Sequence, residues 1–173
     1  MSILRKIKEK FLYYWLSPEQ WGRHLGATIG YNNMISKDIW STEPYLVTIG
    51  NHCQLTNCKI HTHGGGQAVR HIDPTFDCFG KVALGDYVYV GSGAMIMPGV
   101  TIGDHTLVAA GSVVTKSCSE GGVVLAGNPA RVICTIEEYY EKNKKYNVAT
   151  KGMDPKEKKK RLMVMAEEKF IQK

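Results

Sequence analysis

The chain has 173 residues, 43% hydrophobic and 22% charged, which fits one globular domain with a real core and argues against bulk disorder. No apolar run approaches the roughly 20 residues that cross a bilayer. The formal charge of +6 sits in a tail: residues 142–173 carry eleven Lys and Arg against four Asp and Glu, and residues 1–141 carry a net of −1. A nucleic-acid reader shows its basic stripe on the folded body, so no nucleic-acid partner is expected. A solvated basic helix is favoured over attraction to a membrane surface.

In chain order, the N-terminus is charged through its first ten residues and lacks an uninterrupted apolar segment or cleavage site, so it reads as mature protein. Residues 3–15 form a candidate helix with Ile3, Ile7 and Phe11 on one face. Ser17-Pro18-Glu19-Gln20 is a capping box with proline at the first helical position, opening a helix that closes near Gly26. These helices are expected to cover the end of a repeat structure, with residues 1–28 as an N-terminal cap.

The repeat runs from residue 29 to about 134. Every sixth residue from Leu84 is aliphatic: Leu84, Val90, Ile96, Ile102, Val108 and Val114. Four positions after each lie Val88, Ala94, Val100, Thr106, Ser112 and Cys118, all small or β-branched. Six residues advance an α-helix about 1.67 turns and a flat strand needs a period of two, so neither fits. A short strand followed by a corner does, and three such sides close a triangular coil of eighteen residues with the aliphatic side chain inward. Ile29, Ile35, Ile49 and Leu55 extend the pattern upstream. The phase slips next: hexad counting puts His61 inward, yet Cys58 and Ile60 look like the packing residues, as though one corner residue were missing. Residues 64–80 lack the pattern and are expected to leave the coil as a loop, and loops this long inside compact domains are usually functional. The tail, residues 135–173, is expected to be helical, with a helix near Thr135–Tyr146 and another after the Asp154-Pro155-Lys156-Glu157 cap. The second would run to about residue 172, with Leu162, Ala166 and Phe170 on one face. Five widely spaced cysteines without C-x-x-C suggest neither a zinc site nor a redox dithiol, and point to a reducing cytoplasm.

Residues 43–50 (EPYLVTIG), 62–66 (THGGG), 90–104 (VGSGAMIMPGVTIGD), 110–116 (AGSVVTK) and 126–133 (AGNPARVI) together resemble the hexapeptide-repeat acyltransferases, in particular their sugar O-acetyltransferase and xenobiotic acetyltransferase branch. The resemblance covers about residues 29–134. It implies a mainly β fold: a single-stranded left-handed parallel β-helix of about four to five coils, with helical caps at both ends. The hand comes from the resemblance alone, because parallel crossovers are otherwise right-handed. The resemblance also implies a homotrimer in which acetyl-CoA and an acceptor meet between neighbouring subunits.

Acetyl transfer from a thioester to a hydroxyl mainly needs that hydroxyl deprotonated, a task suited to histidine. His24 lies in a helix, and His52 and His105 follow corner pairs, so these three read as structural. His61 and His63 stand where the repeat gives way to the loop. His63 matches the THGGG histidine that is the base in similar enzymes, and His61, of the same strand parity, either assists it or contacts the acceptor. His71, Asp73, Asp77 and Phe79 in the loop, and Glu43 and Tyr45 in a two-residue insertion between coils, are acceptor-binding candidates; a carboxylate among them could instead orient the histidine. A zinc site of His61, His63 and His71 ranks well below base catalysis, and no metal is expected. The donor side is expected at Gly91, Ser92, Ala110, Thr115, Lys116, Asn128, Pro129 and Arg131. There exposed corner backbone would pair with pantetheine amides, and Lys116 and Arg131 would attract the CoA phosphates. The favoured function is O-acetylation of a sugar destined for a surface polysaccharide. Acetylation of an antibiotic hydroxyl, N-acetylation of an amino sugar and a non-catalytic β-helix scaffold follow in that order.

Overall fold

A computed structural model describes residues 3–172; residues 1, 2 and 173, the outermost of the expected caps, lie outside the described residues. The chain divides into two compact units, Met1–Ile136 and Glu137–Lys173. In the first, helices α1 (Ile3–Trp15) and α2 (Pro18–His24) precede short strands: β1 (Thr28–Ile29), β2 (Met34–Ile35), β3 (Val47–Ile49), β4 (Gln54–Leu55), β5 (Lys59–Ile60), β6 (Val82–Leu84), β7 (Tyr89–Val90), β8 (Met95–Ile96), β9 (Thr101–Ile102), β10 (Leu107–Val108) and β11 (Val113–Val114). A hairpin of β12 (Val123–Gly127) and β13 (Ala130–Thr135) closes the unit.

Three parallel sheets result, ordered β1-β3-β6-β9, β2-β4-β7-β10-β12 and β5-β8-β11, with β13 antiparallel on β12. Leu84 pairs with Ile102, Val90 with Val108 and Ile96 with Val114, so each residue stacks on the one a full coil later. The six hexad aliphatics are at most 2% exposed. Val88, Ala94, Val100, Thr106 and Ser112 are buried with them. The polar members of that set are satisfied: the Thr106 hydroxyl donates to the Gly103 carbonyl at 2.8 Å, and the Ser112 hydroxyl accepts from Gly127 N–H at 3.1 Å.

One corner shows why glycine follows the aliphatic. Asp86 Oδ1 accepts from Asn51 N–H at 2.7 Å, and Asp104 Oδ1 accepts from Asp86 N–H at 2.7 Å, binding successive coils. A Cβ on Gly50 would fall 2.3 Å from Asp86 Oδ1, and one on Gly85 would fall 2.1 Å from Asp104 Oδ1. The bare backbone is what lets each carboxylate reach the coil above. The residues that follow, His52, Tyr87 and His105, take left-handed angles (φ 57°, 56° and 54°) and their rings stack, 4.7 Å between the first two and 5.2 Å between the second two. His52 and His105 thus stand at the corner as structural groups.

The phase slip is real. β5 pairs Ile60 with Ile96, five residues after Leu55, through a tight corner at Asn57 (φ 46°), and Cys58 and Ile60 are buried. His61 therefore points away from the core position that hexad counting assigns it. The chain then leaves the coil and returns at Val82. A neck ties the base of this loop: Gly80 N–H donates to Thr62 O at 2.8 Å, Gly64 N–H to Cys78 O at 2.9 Å, and His63 bridges antiparallel to Phe79.

At the N-terminal end, α2 has both halves of the Ser17–Gln20 capping box and packs so closely that a Cβ on Gly22 would lie 2.5 Å from both Ile29 and Trp40. Helix α3 spans Ile136–Asn143, and in the second unit α4 spans Pro155–Met163, capped by Asp154. The expected helix to residue 172 stops at Met163, before a 3-10 turn at Glu167–Lys169. Lys156, Lys158, Lys159, Lys160 and Arg161 crowd positive charge onto it, and it has no buried residue to offset their repulsion. Ala166 and Phe170 fall beyond its end. Among the described residues no helix is long and apolar enough to cross a membrane.

Candidate active site

The neck positions His63 beside the segment Ser41–Glu43, which leads into a 3-10 turn at Pro44–Leu46. His63 Nδ1 lies 2.9 Å from Glu43 Oε2. A carboxylate only accepts, so Nδ1 carries the proton, and in the neutral imidazole the lone pair is on Nε2. Glu43 is held in turn: Thr62 Oγ1 donates to Oε2 at 2.7 Å and the Thr42 hydroxyl donates to Oε1. The Ser41 and Thr42 hydroxyls each stand 3.3 Å from Nδ1. The hydrogen bonds from Thr42, His63 and Thr62 pull the Glu43 carboxyl from its ordinary 4.5 down to about 2. At neutral pH Glu43 is therefore a fixed anion behind the imidazole.

In front of it lies a cleft of about 400 Å³, lined by Thr42, Glu43, His63, Gly64, Gly65, Gly66, Gln67, Arg70, Asp77 and Phe79. Phe79 sets its edge against the His63 ring with centroids 6.5 Å apart. Arg70 folds across the loop: Nε donates to Phe76 O at 3.2 Å, Nη1 to Gln67 Oε1 at 3.1 Å, and Nη2 stands 3.8 Å from Asp77 Oδ2.

Of the acceptor residues expected from sequence, Glu43, Asp77 and Phe79 line this cleft, and Glu43 is committed to His63. His61, Tyr45 and His71 are not on its walls; Tyr45 packs over Gly26, and His71 Nδ1 turns to Ala68 O at 3.1 Å. Asp73 accepts from Thr75 within the loop. His61, His63 and His71 form no cluster, and no group of three His, Cys, Asp or Glu among the described residues is placed to hold a metal ion. Ser41, Thr42, Thr62, Gln67 and Arg70 were not singled out from sequence. Thr62 sits inside the THGGG stretch, and Arg70 is the sole Lys or Arg between residues 64 and 80, the two signals that were available.

The expected donor residues divide between two corners of the coil. Gly91, Ser92 and Ala110 occupy the corner between the second and third sheets. There a Cβ on Gly91 would fall 2.6 Å from Ala110 N, and Gly111 N–H donates to Ser92 O at 3.0 Å. Gly127, bonded to Ser112, brings the hairpin turn with Asn128 and Pro129 to the same corner. Arg131 follows in β13, its Nη1 donating to Ala130 O at 2.9 Å. Thr115 and Lys116 follow β11 at the next corner, the one from which the loop emerges: Gly80 stacks on Gly99 there, and Ser117 Oγ accepts from Thr101 N–H at 3.0 Å.

The stacked coils form a parallel β-helix of the kind that carries acyl-transfer enzymes. Comparison bears this out. Residues 81–116 match the family model described as bacterial transferase hexapeptide (six repeats). The chain is 38% identical to Protein CapG of Staphylococcus aureus over 142 residues, covering 79% of this chain and 82% of that protein. It is 34% identical to the galactoside O-acetyltransferase of Escherichia coli K12 over 123 residues, 68% of this chain and 60% of that enzyme. A hexapeptide-repeat acetyltransferase from Vibrio cholerae, solved with acetyl coenzyme A, superposes with a TM-score of 0.57 at 25% identity, covering 64% of this chain and 61% of that one. The chain belongs to the hexapeptide-repeat acetyltransferase family, and its coil is the left-handed parallel β-helix of that family.

Proposed function

We propose that the protein transfers an acetyl group from acetyl-CoA to a hydroxyl of a saccharide in the cytoplasm, for a surface polysaccharide, with His63 as general base. The observation that carries this reading is the Glu43–His63 hydrogen bond on the cleft wall. The acceptor O–H gives its proton to Nε2 as its oxygen attacks the thioester carbon. The C–S bond then breaks, and the CoA thiolate recovers the proton from Nε2. Glu43 is a positioning residue: it sets the tautomer and balances the imidazolium between the two proton transfers. Asp77 and Arg70 offer an acceptor and donors to sugar hydroxyls, and kinship with a galactoside O-acetyltransferase favours that substrate class. His61, Tyr45 and His71 fall outside this acceptor site.

The donor reading assigns acetyl-CoA to Gly91, Ser92, Ala110, Thr115, Lys116, Asn128, Pro129 and Arg131. These occupy two corners of the coil, and in a homotrimer one coenzyme would take one corner from each of two neighbouring chains. Met34, Tyr89 and Met95 project outward from the sheets and supply apolar contact surface. In this reading residues 29–134 are the catalytic coil, with α1 and α2 before it in sequence and the 137–172 unit after it.

The test is acetyl-CoA turnover across a panel of sugars for wild type and His63→Ala. Turnover should fall by roughly 10²- to 10⁴-fold while acetyl-CoA affinity is unchanged. Retained turnover in His63→Ala would remove the base role, and no acetyl-CoA binding by wild type would leave only a scaffold.

A further inference from the structure

Helix α1 is attached to the fold by its polar side. Glu9 Oε2 lies 3.0 Å from His24 Nε2, Lys37 donates to the Tyr13 carbonyl and sits 5.1 Å from the Tyr13 ring centroid, and Tyr13 meets Trp21 edge-on at 5.4 Å. Ile3, Leu4, Ile7, Phe11, Tyr14 and Trp15 are left outward, each between 61% and 79% exposed, and no residue of the helix is buried. At about 100° per residue these six side chains fall within one arc of about 120°. Lys6 and Lys10 border the arc on one side and Lys8 on the other. An amphipathic helix in water turns its stripe inward; this one turns it away from its own protein.

We propose that α1 is a membrane-surface anchor that lies in the interface of an anionic bilayer and brings the cleft to acceptors held there. The charge pattern chooses the occupant. Residues 3–15 carry four Lys and Arg against one Glu, and the lysines edge the apolar arc where phosphate headgroups would meet them. Residues 16–136 carry seven Lys and Arg against eight Asp and Glu, and residues 137–173 carry eleven against seven, so a second copy of the chain offers these lysines no acidic complement comparable to an anionic bilayer. Tyr14 and Trp15 are side chains of the kind that settles at headgroup depth. Thirteen residues make a helix about 20 Å long, short of the roughly 30 Å hydrocarbon core, so α1 lies in the plane instead of crossing it. This inference stands apart from the saccharide reading, since it uses no residue of the cleft.

The full chain is sedimented with vesicles of phosphatidylcholine alone and with about one-third phosphatidylglycerol, at low and high salt, beside the Ile7→Glu/Phe11→Glu variant. Wild type should bind the anionic vesicles at least about tenfold more tightly than the neutral ones and weaken with salt. The variant should lose binding while keeping its melting temperature, its solution mass and its turnover on a soluble acceptor. A Lys6→Gln/Lys8→Gln/Lys10→Gln variant should lose most of the anionic preference. Failure of wild type to bind, or undiminished binding by the Glu variant, overturns the proposal. So does a fall in the variant's solution mass, which would show that α1 covers a second copy.

Discussion

At the residue scale the site depends on which nitrogen of His63 carries the proton. Glu43→Gln tests this: a glutamine amide can donate to Nδ1 and so favours the tautomer with its proton on Nε2, where the base must be empty. Turnover should drop roughly 10²- to 10⁴-fold with acetyl-CoA affinity unchanged, read by steady-state kinetics beside direct binding. Glu43→Asp, which keeps the charge, should recover part of the loss. The same carboxylate makes folding acid-sensitive. Its folded pKa is depressed from 4.5 to about 2, chiefly by the Thr42, His63 and Thr62 hydrogen bonds. It therefore stabilises the fold above pH 4.5, and that contribution fades as pH falls toward 2. In melting curves across that window, wild type should lose its advantage over Glu43→Gln as acid is added; a constant gap would contradict the depressed pKa. THGGG alone points to His63, whereas its partner is legible only as one carboxylate among Glu43, Asp73 and Asp77. Glu43 stands 20 residues away in sequence, and only the Thr62 and Thr42 hydroxyls that hold it show that it faces the imidazole and not solvent.

At the scale of elements, a coil stabilised by stacked corners should be most fragile where a corner has no room. Gly85→Ala puts a methyl group 2.1 Å from Asp104 Oδ1 and 2.8 Å from Asp104 N, so either the carboxylate leaves Asp86 N–H or the coils separate. The expected loss is about 1–3 kcal/mol, measured by denaturant unfolding. Gly99→Ala is the contrast: nothing lies within 4 Å of its Cβ position, and only its φ of 82° opposes a side chain, so it should cost less. The hexads between Leu84 and Val114 were readable because the inward aliphatic and the small or β-branched residue four positions on recur together. The coil that includes Cys58 was harder, since a corner one residue shorter moves Ile60 into the place that counting gives to His61. The β12–β13 hairpin is not legible in the sequence, because its residues fall within the span of the repeat and of the expected donor site. The stripe on α1 could be drawn on a helical wheel, but a wheel does not say which side meets the protein; the contacts of Glu9 and Tyr13 do.

At the scale of the whole molecule, the division of the proposed donor residues between two corners makes the proposed trimer a testable requirement for catalysis. In the proposed assembly one chain supplies His63, Thr115 and Lys116, and its neighbour supplies Ser92, Ala110 and Asn128. A His63→Ala chain and an Ala110→Trp chain are then each inactive, the second because an indole fills the exposed corner where the coenzyme would lie. Mixed by unfolding and refolding together in equal amounts, they should form trimers in which some interfaces join an intact His63 corner to an intact Ala110 corner. Random assembly of a cyclic trimer leaves about one site in four intact, so about a quarter of wild-type turnover should return, in a species three times the 19.3 kDa chain mass. Turnover no greater than that of the two variants kept apart would mean that the donor and the base belong to one chain, and the split corners would need another explanation.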